Sequence, residues 1–149
     1  MALRYNAIGS ELYVLPIGTH TLTGSAQNIH VINNTSFGQI EKAALVIADA
    51  DLTGTLTVLV RGNTAADGSG TDYTMYTMTL SSGSNQNLVV EIDAELVGHY
   101  EDQNGGTGTF KSIVFEVTGT NTDTLDAAVV VKGTYRKELL TDSDSVTAS

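Results

Sequence analysis

The chain reads as an all-β protein: a single antiparallel β-sandwich or jelly-roll-like domain of about eight strands. Three observations predict this. Apolar residues recur at alternate positions in short runs, which is the period of a pleated strand with one buried face. The runs are separated by stretches of Gly, Asn, Asp, Ser and Thr, the residues of tight turns. The composition is also that of strands, with abundant Val and Thr, 15 glycines, one proline and only 16% charged residues among 149. β-Branched side chains suit a pleated surface and lose rotamer freedom in a helix.

Taken in order, residues 1–10 read as an arm, because Asn6 and Gly9-Ser10 break any period. Strands are predicted at Glu11–Pro16, Thr19–Thr23 and Gln27–Asn33. Lys42–Ala48 has a composition a short helix would tolerate, but Val46-Ile47 and the flanking turn residues favour a strand. The turn Asp49–Gly54 leads into Thr55–Gly62, where Leu56, Val58 and Val60 point one way and Thr55, Thr57 and Arg61 the other. Tyr73–Leu80 is expected to turn Tyr76, Met78 and Leu80 inward, and Asn87–Asp93 to group Leu88, Val90 and Ile92. Ala94–Val97 is expected as one helical turn, followed by a long loop over Gly98–Gly108. Phe110–Thr118 then buries Ile113, Phe115 and Val117, and Ala127–Tyr135 aligns Val129, Val131 and Tyr135. No repeat or linker interrupts the series. The expected organisation is one domain: an arm over residues 1–10, a core over 11–136 and an acidic tail over 137–149, loose or docked on a partner.

Seventeen acids against seven bases set the net charge at −10. Such a chain repels phosphate backbones and anionic lipid, so neither nucleic acid nor membrane is an expected partner. The absence of cysteine excludes a disulfide framework, a thiolate metal site and a Cys nucleophile. The apolar run Leu12–Ile17 is too short for a signal-peptide core, and no segment approaches the roughly 20 apolar residues of a membrane span. Synthesis in a cytoplasm without secretion by the general route is the expectation.

Candidate chemistry is sparse. In Ala65–Thr74, AADGSGTDYT, oxygens alternate as they do in calcium loops. Counting from Asp67, however, the twelfth position holds Met78 where a bidentate Glu is needed. The Gly-x-Gly-x-Asp run from Gly68 to Asp72 occurs once, whereas calcium β-rolls stack several copies. A turn needs the same glycines and aspartates, so the segment is expected to be a long, flexible hairpin loop that projects toward a neighbour. Asp49 and Asp51 are likewise explained by a turn. His20, His30 and His99 have no metal-ligand spacing, and no serine lies in a nucleophile-elbow context. No Trp is present to form a sugar-stacking platform. No cofactor, no metal and no catalytic activity are expected.

Three late strands are apolar on both faces: Leu88-Val89-Val90, Ile113-Val114-Phe115 and Ala128-Val129-Val130-Val131. Burying one such side chain contributes about 1.5–3 kcal/mol, so something should cover Val89, Val114 and Val130. The cover is either the chain's own arm or long loop, or another subunit. These three valines are the candidate subunit interface. Leu3, Arg4 and Tyr5 of the arm, or Leu139 and Leu140 of the tail, are candidates for holding a neighbour.

The succession Leu56-Thr57-Val58, Val60-Arg61-Gly62-Asn63, Val89–Asp93, Ser112–Thr120 and Ala127–Thr134 resembles small capsid decoration, or cement, proteins of tailed bacteriophages. The resemblance covers residues 42–136 and is one of pattern and length, without a diagnostic motif. It implies a β-sandwich or jelly roll, assembled as a homotrimer on the outer surface of a virion head, where it braces the major capsid protein lattice. It transfers no residue-level site. Other readings of the same pattern are a phage tail or fibre module and a sugar-binding β-sandwich.

Overall fold

The computed structural model describes residues 11–33, 37–103, 110–135 and 146–148. Nine strands and one helix account for most of them: β1 (Glu11–Thr21), β2 (Gln27–Asn33), β3 (Phe37–Leu52), β4 (Leu56–Asn63), β5 (Asp72–Leu80), β6 (Gly83–Asp93), α1 (Ala94–Gln103), β7 (Ser112–Thr118), β8 (Thr124–Tyr135) and β9 (Val146–Ala148). All ladders are antiparallel. β1 pairs with β8, β2 with β7, β3 with β6 and β4 with β5. The chain is therefore one long ribbon that reverses at the β4–β5 hairpin. Wrapping the ribbon brings β3 against β8 and β4 against β7. Two sheets result, of order β1-β8-β3-β6 and β5-β4-β7-β2-β9. This is a jelly roll carrying one added edge strand.

The core lies between the sheets. From the four-stranded sheet come Ala43, Leu45, Ile47, Val90, Ile92, Leu125, Val129 and Val131; from the other come Ile32, Leu56, Val58, Val60, Ile113, Phe115 and Val117. The alternation read in the sequence places these residues inward. Gly62 is required by the packing, because a Cβ there would sit 2.2 Å from the Phe110 ring. Phe110 in turn stacks on Tyr73, with ring centroids 6.0 Å apart.

Four local expectations change. The separate strands expected at Glu11–Pro16 and Thr19–Thr23 are a single edge strand with a bulge between Pro16 and Gly18. Proline lacks an N–H and is tolerated at such an edge. β3 extends on both sides of Lys42–Ala48, running through the Asp49–Asp51 turn signal. Tyr76, Met78 and Leu80 do pair with Val60, Val58 and Leu56 of the core face. Met78 nevertheless stays partly exposed, since β5 is an edge strand, and Met75, the extra residue of a bulge, is the buried one. The single helical turn at Ala94–Val97 is a ten-residue helix that takes up the start of the expected loop. Asp93 caps it, accepting the Leu96 N–H at 2.8 Å, and Glu95 favours the positive N-terminal end. Gly98 looks like a breaker in sequence, but it costs an exposed helix only about 1 kcal/mol relative to Ala. Leu96, Val97 and Tyr100 pack against the core.

Of the acidic tail, residues 146–148 pair with His30, Val31 and Ile32 of β2, so this end docks on its own chain. Residues 1–10 and 136–145 lie outside the described residues.

Candidate interaction surface

The register of the four-stranded sheet dictates which side chains share its outer face. Successive side chains alternate between faces, so the residues between the core positions line up across the strands on the solvent side. One row is Leu12, Lys132, Lys42 and Asp93. The next is Val14, Val130, Ala44 and Glu91, and the third is Pro16, Ala128, Val46 and Val89. Beyond them Asp126 pairs with Thr19 and Ala48. The two middle rows are apolar except for Glu91, which Lys42 holds at 2.9 Å. Leu12 is 65% exposed, Val14 58% and Val89 52%. These side chains form a contiguous apolar strip across all four strands of the sheet.

The five-stranded sheet treats its outer face differently. Val31 and Val114 face outward as a cross-strand pair, yet Val114 is 0% exposed. The cover is the β4–β5 loop. A Cβ added at Gly68 would stand 3.2 to 3.4 Å from the methyls of both valines, so the loop backbone rests on them. The loop is built around buried Asn63. Its Nδ2 lies 3.0 Å from the carbonyls of Gly68 and Gly70 and 2.6 Å from Asp72 Oδ1. Its Oδ1 accepts the N–H groups of Ala65 at 2.8 Å and Gly70 at 2.9 Å. Ser112 Oγ donates to the Ala65 carbonyl at 2.7 Å, tying the loop to β7. Arg61 completes the face, paired with Asp72 and Glu116 at 2.9 Å each and donating to Asn28 Oδ1 at 3.0 Å. The expectation of a flexible, projecting loop is corrected: the loop folds back, because Asn63 supplies both donors and acceptors to its backbone.

The same geometry shows what the aspartates do. Asp67 accepts the hydroxyl and N–H of Ser69, bonds that hold its carboxyl below the ordinary range. Asp72 is occupied by Arg61 and Asn63. Asp51 accepts the Asn85 N–H at 3.1 Å. Asp123 is buried; burial alone would raise its carboxyl, but bonds from the Thr53 hydroxyl and the Thr53 and Gly54 amides outweigh it, and the group sits below its usual range. Among the described residues no group of three His, Asp or Glu side chains is arranged to hold a metal ion.

His30 is buried in β2, with neither ring nitrogen hydrogen-bonded, and burial lowers its pKa to about 4. His99 meets Tyr100 edge-on at 5.5 Å. A groove of about 340 Å³ opens along the seam between β5 and β6, lined by Tyr76, Met78, Val89, Leu96 and Tyr100. The Tyr76 hydroxyl donates to the Glu91 carbonyl, and burial pushes its pKa up to about 12. A phenol so placed is neutral and already engaged.

The interface candidates thus separate. Val89 and Val130 share the open outer face of the four-stranded sheet, Val130 half-buried between Val14 and Ala44. Val114 lies on the opposite side of the molecule's sandwich, under the loop. Leu3, Arg4, Tyr5, Leu139 and Leu140 lie outside the described residues. Leu12 and Val14 join the open face without having been singled out. Their signal was present: Leu12-Tyr13-Val14-Leu15 is apolar on both faces, as the late strands are.

No family model and no curated protein matches the chain. Several solved structures match the chain at low identity. A structure of Bacillus endospore appendages, described as disulfide-linked pili, is 15% identical with a TM-score of 0.47, covering 86% of this chain and 88% of that one. PirA is 9% identical with a TM-score of 0.41, covering 85% and 93%. The VP2 subviral particle of infectious bursal disease virus is 13% identical with a TM-score of 0.38; 84% of this chain matches 33% of that one.

Proposed function

We propose that the protein is a structural virion subunit that binds the outer surface of a phage capsid and stabilises the major capsid protein lattice. Jelly rolls serve viral shells and lectins alike, so the reading rests on the surface and not on the fold. The observation that carries it is the open apolar face of the four-stranded sheet, on an acidic scaffold in which Asp72 and Asp123 are engaged in holding a loop and a turn. A protein that works by contact needs such a face and a rigid body behind it. The net charge of −10 suits the outside of a shell better than its DNA-filled interior. The mechanism is avidity: an oligomer touching several lattice subunits adds weak contacts into a firm brace.

The test adds the purified protein to heads assembled without it. Saturable binding that raises the melting temperature of the heads is the expected result. Absence of binding, with heads melting unchanged, overturns the reading. Binding to isolated tails in preference to heads would make the chain a tail module, and chelator-sensitive binding on a glycan array would make it a sugar-binding module.

A further inference from the structure

We infer that the outer face of the four-stranded sheet takes a second copy of this chain across a two-fold axis. The inference rests on reading this face as an interaction surface, and not on the capsid as its partner.

The argument is in the order of side chains along the two central strands. On the outer side of β8 the sequence runs Asp126, Ala128, Val130, Lys132. A two-fold axis lying in the interface, perpendicular to the strands and between Ala128 and Val130, places Lys132 of one copy over Asp126 of the other. It also places Val130 over Ala128. The outer side of β3 runs Lys42, Ala44, Val46, Ala48, and the same axis lays Val46 over Ala44. Large side chains meet small ones in both strands, and in β8 a positive end meets a negative end, while in β3 Lys42 meets Ala48. A closed two-fold contact must be self-complementary in this way. A three-copy ring would set the face against a different surface of the neighbour, and would leave this internal match unused.

The charges are available for the purpose. Lys132 is about half exposed, and its intrachain partner Glu41 is 3.7 Å away, at the limit of an ion pair. Asp126 accepts only the Thr19 hydroxyl among the bonds seen on its carboxylate, at 2.6 Å. Glu91, the acid within the apolar rows, is already neutralised by Lys42. With strands about 4.8 Å apart and a rise of about 3.3 Å per residue, the face measures roughly 14 by 20 Å. This is well below the roughly 800 Å² per partner of a standard stable interface, so pairing is expected to be weak and transient and to need a high protein concentration.

The experiment is sedimentation equilibrium of the full chain over a wide concentration range, with Lys132→Asp and Asp126→Lys variants. The wild type should pass from one copy to two. Each variant alone should pair about tenfold more weakly, since two attractive contacts become repulsive. An equimolar mixture of the two variants should recover pairing, because every reversed charge then meets its opposite. A fold defect in either variant cannot produce that recovery. Val14→Lys, an exposed edge-strand change that leaves both charges in place, should also abolish pairing. A wild type that stays single, a mass of three copies, or a mixture no better than its components would overturn the inference. A single-copy protein that coats heads defeats this inference alone; a two-copy protein that ignores heads defeats the capsid reading alone.

Discussion

Val114 and Val89 are both valines on the solvent side of a strand, yet one is 0% exposed and the other 52%. The sheet that carries Val114 is sealed by material from its own chain: a loop wound about Asn63, and Arg61 clamped between Asp72 and Glu116. The sheet that carries Val89 has no such cover among the described residues. Its outer face sets Ala44, Ala48 and Ala128 among larger side chains and is bounded by Lys42, Lys132 and Asp126. Sealing a face from within requires polar groups that satisfy the covering backbone, whereas a face kept for a partner needs small side chains and a charged rim. The two sides of the sandwich therefore differ: one is closed by the chain's own loop, and the other is left uncovered by the described residues.

The largest expected effect breaks the sealed side. Asn63→Ala removes both acceptor and donor groups from a buried loop anchor, and should cost about 3 kcal/mol. Urea unfolding would read the loss, and binding of an apolar dye would report the loop lifting from Val31 and Val114. A cost within about 0.5 kcal/mol, the range of ordinary surface changes, would show that the loop does not depend on this residue.

Acid should weaken the fold next. His30 is held neutral, with its pKa lowered to about 4. The unfolded chain takes up a proton near 6.5, so between those values the unfolded state binds more protons and stability falls as pH falls. Going from pH 7 to pH 5 should cost about 2 kcal/mol through this residue. His30→Leu should remove that part of the pH dependence; identical slopes for variant and wild type would exclude His30 as the cause.

The comparison itself is sharpest in a matched pair. Val114→Thr buries a hydroxyl under the loop and should cost about 1.5 kcal/mol. Val89→Thr changes a half-wet position and should stay within about 0.5 kcal/mol. Chemical denaturation of the two single variants at a concentration where the protein is a single copy makes the comparison. Equal costs would mean that the two faces are not distinct.

Much of the fold was legible because strand pattern is a local property. The alternation of Leu56, Val58 and Val60, or of Ile113, Phe115 and Val117, follows from the pleat alone, and each set is buried where the period puts it. α1 was underestimated because Gly98 reads as a stop, while the cap that starts the helix, Asp93, also ends a strand. The candidate surface was half legible. Doubly apolar strands marked Val89, Val114 and Val130 equally, since a sequence states that a strand has two apolar faces without stating what lies over each.

The sequence by itself determined the all-β class, the inward set of strands such as β4 and β7, and the lack of any thiol chemistry, all of which depend on a residue and its near neighbours. Only the tertiary structure decided that Gly68 would reach Val114, that Val14 would stand beside Val130 and that Val46 would pair with Val89. Those meetings depend on the register of a ribbon wrapped into two sheets, and register joins residues that are far apart in the chain.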